Sequence, residues 1–291
     1  MQIRDGVLAR VLSGASIVMR YYRKHSRIPN LTTPNTFSEK VCAAKLRWRD
    51  PRLSHFVDKV AAKDIVRRVL GEEWVIPTLY SGPSLPPLHE RDWPLPFVIK
   101  ANHGSGWNLF IRSEAECDWG SIEAQSASWL RRKYGRYSGE TPYSYVDPQI
   151  LIEPLIEDNP NDYKIFVFGG KAEYIQVDTD RFSVHRRTFF DRQWNRQAFE
   201  FRYPLDDREI PAPVHLTKML NAAEELARGF PFVRVDFYEV GSHPYFGEIT
   251  LFPESGDVRF TPHAVEQHMG DLWPDHPDGA PCPAVVALNK V

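Results

Sequence analysis

Cysteine is scarce in this chain: three in 291 residues, Cys42, Cys117 and Cys282, far apart and with no C-x-x-C pair among them. Such spacing argues against a disulfide framework and a zinc site, and it fits a reducing compartment, the cytoplasm. Long apolar runs are absent too. Gly6 to Met19 is fairly apolar but ends in Arg20, Tyr21, Tyr22, Arg23 and Lys24, whereas a secretion signal carries its positive charge first and a spanning helix needs ~20 apolar residues. This segment reads as an amphipathic helix lying either on an anionic membrane face or on its own domain. An excess of one charge is also missing: 36 Lys and Arg face 38 Asp and Glu, for a net charge of −2. A chain-wide electrostatic grip on nucleic acid is thereby excluded, and any basic site must be local.

What is present is a globular composition, 42% apolar and 25% charged, long enough for one large domain or two closely joined ones. Two proline-rich stretches punctuate it: Ser81 to Pro96 reads as an ordered connector, Leu272 to Pro283 as a tail. Apolar residues at Val57, Val60, Ala61, Ile65, Val69 and Leu70 fall near helical period and predict one helix over Ser54 to Leu70, stopped by Gly71. Further helices are expected over Ser121 to Tyr134 and Val214 to Arg228. Short β-rich runs dominate otherwise: Trp74 to Tyr80, Phe97 to Ala101, Asn108 to Arg112, Gln149 to Ile156, Tyr163 to Phe168, Lys171 to Val177, Phe232 to Glu239 and Pro244 to Leu251. Gly169-Gly170 joins two of them as a hairpin turn. The expected class is α+β with antiparallel hairpins.

Three stretches carry chemistry. Phe97-Val-Ile-Lys-Ala-Asn-His-Gly-Ser-Gly-Trp-Asn108 is an apolar strand that delivers Lys100 near its end and enters a loop with Gly104, Ser105 and Gly106, where backbone N–H groups can approach an anion. The lysine precedes the glycines, so this is neither a Walker A loop nor a dinucleotide fingerprint. His103 either touches phosphate there or caps the turn. Phe232 to Tyr238 and His243 to Thr250 read as paired strands, and the period of two puts Arg234 with Asp236, and Glu248 with Thr250, on single faces. Two acids in an apolar strand pair need a cation, either Mg²⁺ on oxygen ligands or Arg234 as an ion pair. In the third stretch, Gln149 to Ile156, the strand breaks at Glu153-Pro154, either exposing backbone groups to a base or simply ending there. Asp162-Tyr-Lys164 follows.

In order and spacing these pieces resemble the ATP-grasp fold, and more narrowly its TupA-like branch, named for teichuronopeptide biosynthesis. The resemblance runs from Thr36-Phe37-Ser38-Glu39-Lys40 through Asp58-Lys59, Phe97 to Ala101, Glu153-Pro154-Leu155-Ile156, Asp162-Tyr163-Lys164 and Val233-Arg234-Val235-Asp236 to Gly247-Glu248-Ile249-Thr250, about residues 30 to 270. It implies two α+β subdomains clamping ATP, with residues 1–52 as a helical opening segment, 53–96 a first subdomain and connector, 97–160 the lid, 161–270 the catalytic part and 271–291 the tail. It also implies that Lys59 and Lys100 meet the nucleotide phosphates, that Gly104 to Gly106 close over them, and that Glu153, Pro154, Leu155 and Ile156 hold adenine, with Asp162 nearby. Asp236 and Glu248, with Thr250 where many relatives have asparagine, would ligate one or two Mg²⁺ ions, and Arg234 would face the transferred phosphoryl group.

The implied reaction is ATP-dependent joining of a carboxylate to an amine through an acyl phosphate, plausible in surface polysaccharide synthesis, with a sugar nucleotide or lipid-linked saccharide as a further candidate partner. Arg181 to Arg187 is a basic patch suited to an acid substrate, with Lys164 and Arg187 as its candidate residues. A phosphotransferase is the alternative, as is a glycosyltransferase, for which Asp178-Thr179-Asp180 fits a D-x-D pattern although its place at a strand end reads as a turn.

Overall fold

The computed structural model describes residues 2–135, 138–158, 160–181, 183–241 and 243–275, with side chains from residue 14 onward. The chain opens with helices α1 (Gln2–His25), α2 (Phe37–Arg47), α3 (Ser54–Val57) and α4 (Ala61–Leu70). Next come β1 (Tyr80–Gly82), β2 (Phe97–Ala101), β3 (Asn108–Ile111), α5 (Trp119–Leu130) and β4 (Ile150–Pro154). A hairpin-rich stretch follows with β5 (Asp162–Phe168), β6 (Lys171–Thr179), β7 (Arg186–Asp191), β8 (Arg196–Gln197) and β9 (Glu200–Phe201). The last elements are α6 (Leu216–Leu226), β10 (Phe232–Val240), β11 (His243–Thr250), β12 (Phe260–Thr261) and α7 (His263–Leu272).

Two antiparallel sheets organise these pieces, one of four strands in the order β1-β4-β2-β3 and one of six in the order β11-β10-β5-β6-β7-β8. The α+β class is as expected, and Gly169-Gly170 does turn β5 into β6. The Thr36 to Lys40 motif has a structural job. Glu39 accepts from the Thr36 N–H at 3.3 Å in a capping box that starts α2, and Phe37, fully buried, meets the rings of Phe166, Phe168, Phe232, Phe260 and Trp273 at 5.2–6.2 Å. One short motif thus nucleates a helix and anchors it to the larger sheet.

Two expectations need correction. Ser54 to Leu70 is not one helix: Asp58 leaves helical geometry at φ −78°, ψ 116°, and α4 restarts at Ala61. Trp74 to Tyr80 is not a strand, because Glu72–Trp74 form a 3₁₀ turn and pairing begins only at Tyr80, opposite Ile152. Helix α1 is longer than its apolar stretch, and its second half packs on its own domain through Ile17, Tyr21 and Cys42. Arg20 of this helix pairs with Asp257. No helix among the described residues is long and apolar enough to cross a membrane. The tail beyond Asp275 lies outside the described residues.

Candidate active site

A pocket of about 430 Å³ opens between the two sheets, lined on one side by β2, β3 and β4 and on the other by β5, β10 and β11. Its first wall is cationic. Lys100 leaves β2 with its Nζ 2.6 Å from Glu153 Oε2 on the paired strand β4. Lys63 pairs with the other oxygen of Glu153 and donates to Ile76 O and Thr78 Oγ1, both at 2.9 Å. Burial works to raise the Glu153 carboxyl, but Lys100 and Lys63 outweigh it and hold it below the ordinary range. Glu153 therefore spends its charge on two lysines. Pro154, Leu155 and Ile156 continue along the pocket wall, with the Leu155 N–H bonded to Pro96 O at 3.0 Å.

The break before α4 explains Lys59. Asp58 Oδ1 accepts from the Asn102 side chain at 3.0 Å and the Lys59 N–H donates to Asn102 O at 3.2 Å, which ties the interrupted helix to the end of β2. From there Lys59 Nζ reaches Gly104 O at 2.7 Å and lies 3.3 Å from Glu248 Oε2, bridging the glycine-rich loop to the opposite wall. Gly104 has a packing reason to lack a side chain: a Cβ there would sit 2.3 Å from the Trp107 ring. Gly104, Ser105 and Gly106 all line the pocket.

The second wall gathers charge of both signs. Cross-strand register sets Asp236 opposite Glu248 on one side and Lys164 on the other. Arg234 Nε and Nη2 grip the two oxygens of Asp236 at 2.7 Å each, Lys164 Nζ lies 2.9 Å from Asp236 Oδ2, and Lys164 also pairs with Asp162. Burial works to lower the Lys164 ammonium, but Asp162 and Asp236 more than offset it and raise it. Glu248 is the accessible acid, with 35% of its side chain exposed. Burial works to raise its carboxyl, yet Lys59, Arg234 and Lys164 hold it at about 2. The two acids supply oxygen donors alone, the chemistry that suits Mg²⁺. No cluster of three or more His, Cys, Asp or Glu in metal-holding geometry occurs among the described residues, so any ion here would draw on these two carboxylates with phosphate or water oxygens completing its shell.

Several expected residues sit elsewhere. Thr250 is not part of the pocket lining; its hydroxyl accepts from Arg234 Nη2 at 3.0 Å, which steadies the guanidinium. His103 is buried beneath the loop, its ring nitrogens against Asn102 Oδ1 at 3.1 Å and Arg132 O at 3.2 Å, so it holds the turn and does not face the pocket. Arg187 is also displaced from its expected role. It is only 4% exposed and saturated by Asp178 at 2.6 and 3.2 Å and by Glu254 at 3.0 Å, leaving no fork for a substrate. The same pairing disposes of the D-x-D pattern, since Asp178 faces Arg187 while Asp180 pairs with Arg208. Of the basic patch expected to meet the acid, Arg181 does line the pocket, whereas Lys63 and Tyr238 were missed as pocket residues. Tyr238 could have been found, because it lies two residues after Asp236 on the same strand; Lys63 had no local signal.

A family profile described as TupA-like ATPgrasp matches residues 39–273. The chain belongs to the TupA-like ATP-grasp family. Solved structures similar to this TupA-like protein include a D-alanine–D-alanine ligase from Bacillus anthracis complexed with ATP, at 16% identity, 76% of this chain and 66% of that one covered, TM-score 0.46. An N5-carboxyaminoimidazole ribonucleotide synthetase in an ADP complex follows at 12% identity, 70% and 46% coverage and TM-score 0.43. An L-amino acid ligase from Bacillus licheniformis stands at 11% identity, 80% and 47% coverage and TM-score 0.42. The TupA-like chain spans from under half to just under two thirds of the length of these solved chains. No curated protein matches it in sequence.

Proposed function

We propose that this TupA-like protein is an ATP- and Mg²⁺-dependent ligase that joins a carboxylate to an amine through an acyl phosphate. The observation that carries this reading is the convergence of Lys59, Lys100, Lys164, Asp236 and Glu248 on one pocket between two sheets, four of them from four different strands, with Arg234 behind the two acids. A triphosphate needs cations along its length and an oxygen-ligated metal at its far end. Lys59 and Lys100 stand on the loop side for the phosphates, while Pro154, Leu155 and Ile156 offer the wall on which a base can lie.

In the proposed reaction a substrate carboxylate oxygen attacks the γ-phosphorus, the bond to the β-bridging oxygen breaks and ADP leaves. An amine nitrogen then attacks the acyl carbon, phosphate departs, and the nitrogen gives up a proton to a nearby carboxylate or to the departing phosphate. Carboxylates are poor electrophiles at neutral pH, and catalysis of the first step is mostly positioning and charge neutralisation. In this reading Lys164, which lines the pocket beside Asp236, meets the transferred phosphoryl group, while Arg234, expected to face it, lies outside the lining and instead holds Asp236 and Thr250. Glu248 and Asp236 would hold Mg²⁺, which neutralises phosphate charge when bound. A role in surface polysaccharide synthesis, in the cytoplasm or at its membrane face, is part of the proposal and rests on the family resemblance.

The test is ADP release from ATP and Mg²⁺ over a panel of amino acids crossed with uronic acids and nucleotide sugars. The ligase reading expects release that needs both an acid and an amine, or an acid with hydroxylamine as trap, giving a hydroxamate. Stoichiometric phosphorylation of a single substrate with no amine would favour a phosphotransferase instead.

A further inference from the structure

Two irregularities in the backbone serve one contact. On the first wall, Asn102 holds the break between α3 and α4, and the Val60 N–H closes it onto Asp58 Oδ1 at 2.9 Å, which brings Lys59 to the cleft. On the second wall, β10 and β11 slip register between Asp236 and Phe237, leaving Gly247 without a partner in the ladder. A Cβ on Gly247 would stand 3.1 Å from Asp236 O and from the Tyr238 ring, so this bulge needs glycine, and it sets the next residue, Glu248, at the pocket. Between the two, Lys59 Nζ lies 2.7 Å from Gly104 O and 3.3 Å from Glu248 Oε2. A single ammonium thus ties the glycine-rich loop to the opposite wall.

Glu248 is the more open of the two candidate metal acids. Arg234 donates to both oxygens of Asp236 at 2.7 Å, and Lys164 lies 2.9 Å from Oδ2. Glu248 is held more loosely, with Lys59 at Oε2 and Arg234 3.6 Å from Oε1. A divalent ion arriving alone meets an ammonium already on this ligand, with the charges of Arg234 and Lys164 behind it. An ion arriving on a polyphosphate meets a different balance. Phosphate oxygens offer Lys59 a stronger anionic partner in the same pocket and supply the oxygen donors that complete the ion's shell. Lys59 can make that exchange because its charge rides on a flexible four-carbon stem, whereas the Arg234 fork is fixed by Asp236 and Thr250.

We propose that Lys59 bars divalent metal from Glu248 until a nucleotide polyphosphate draws the ammonium away, so that metal enters as the metal-nucleotide complex. Release by nucleotide rests on the ligase reading; the bar on Glu248 rests on the contact itself. One substitution then has effects of opposite sign. Without nucleotide, Mn²⁺ titrated into the full-length protein and followed by the electron paramagnetic resonance of the free ion should bind about threefold or more tighter to Lys59→Met than to wild type. With nucleotide, calorimetry should show Mg-ADP bound about tenfold weaker by Lys59→Met, because a phosphate partner is lost. Lys59→Gln, which keeps an N–H donor but no charge, should shift both affinities the same way, and far-UV circular dichroism reports that each variant is folded. The gain in Mn²⁺ affinity should vanish when Glu248→Gln is added to Lys59→Met. Mn²⁺ affinity unchanged or weakened in the Lys59 variants, no Mn²⁺ binding by any of these proteins, a gain that survives Glu248→Gln, or equal Mg-ADP affinity in variant and wild type would overturn the proposal. Failure of the wild type to bind Mg-ADP would sink the ligase reading, and the nucleotide-free Mn²⁺ titration would still decide whether Lys59 bars the metal.

Discussion

At the scale of single residues, the pocket is made of charges that answer one another across strands. Glu248 illustrates the pH consequence. Its folded value of about 2 lies below the ordinary 4.5, so it contributes stability that is present above about pH 5 and lost as pH falls toward 2. Denaturant midpoints measured across that range should therefore drop less steeply in Glu248→Gln than in wild type. Identical slopes would show that the carboxylate is not held by Lys59, Arg234 and Lys164. Glu153 gives a stability prediction. Because it is the shared partner of Lys63 and Lys100, Glu153→Ala strands a buried lysine and should cost on the order of 3–5 kcal/mol in urea unfolding. A loss under about 1 kcal/mol would mean that Lys63 finds water or another partner. The Arg234, Asp236, Glu248 and Thr250 grouping was legible in the sequence because period two and adjacency in a hairpin place such residues together. Whether Arg187 served substrate or structure was not legible, since its partners Asp178 and Glu254 are brought by a neighbouring strand and by a distant turn.

At the scale of elements, a short sequence pattern does two jobs in α2. Phe37→Ala should destabilise the fold by ~3–5 kcal/mol, because it empties a site ringed by five aromatic side chains. Thr36→Ala, which removes the cap hydroxyl and the hydrogen bond it accepts from Arg27, should cost about 1 kcal/mol in the same measurement. Four strands of the larger sheet, β5, β6, β10 and β11, could be read to within two residues, since each is bounded by turn chemistry, whereas β7 and β8 were not read. Ser54 to Leu70 could not. Its apolar spacing is helical throughout, and the interruption at Asp58 to Val60 is held by hydrogen bonds with Asn102, more than 40 residues away, together with the Val60 N–H donating to Asp58 Oδ1 at 2.9 Å. That tertiary override is what carries Lys59 to Gly104 and Glu248. Trp74 to Tyr80 failed for a related reason: Trp74 is buried by packing edge-on against Phe237, a demand that β-propensity imitates.

At the scale of the molecule, two sheets face each other across a cleft, one bringing Lys100 and the glycine-rich loop, the other bringing Lys164, Asp236 and Glu248. The order of the motifs along the chain made this architecture readable, because the family resemblance fixes which strand belongs to which sheet. The most direct test of the central claim is calorimetric titration of the wild-type protein and Lys100→Ala with Mg-ADP. The wild type should show one site per chain and the variant a loss of about tenfold or more in affinity, with both proteins folded. Undiminished affinity in Lys100→Ala would contradict it, because the nucleotide would then lie outside the cleft.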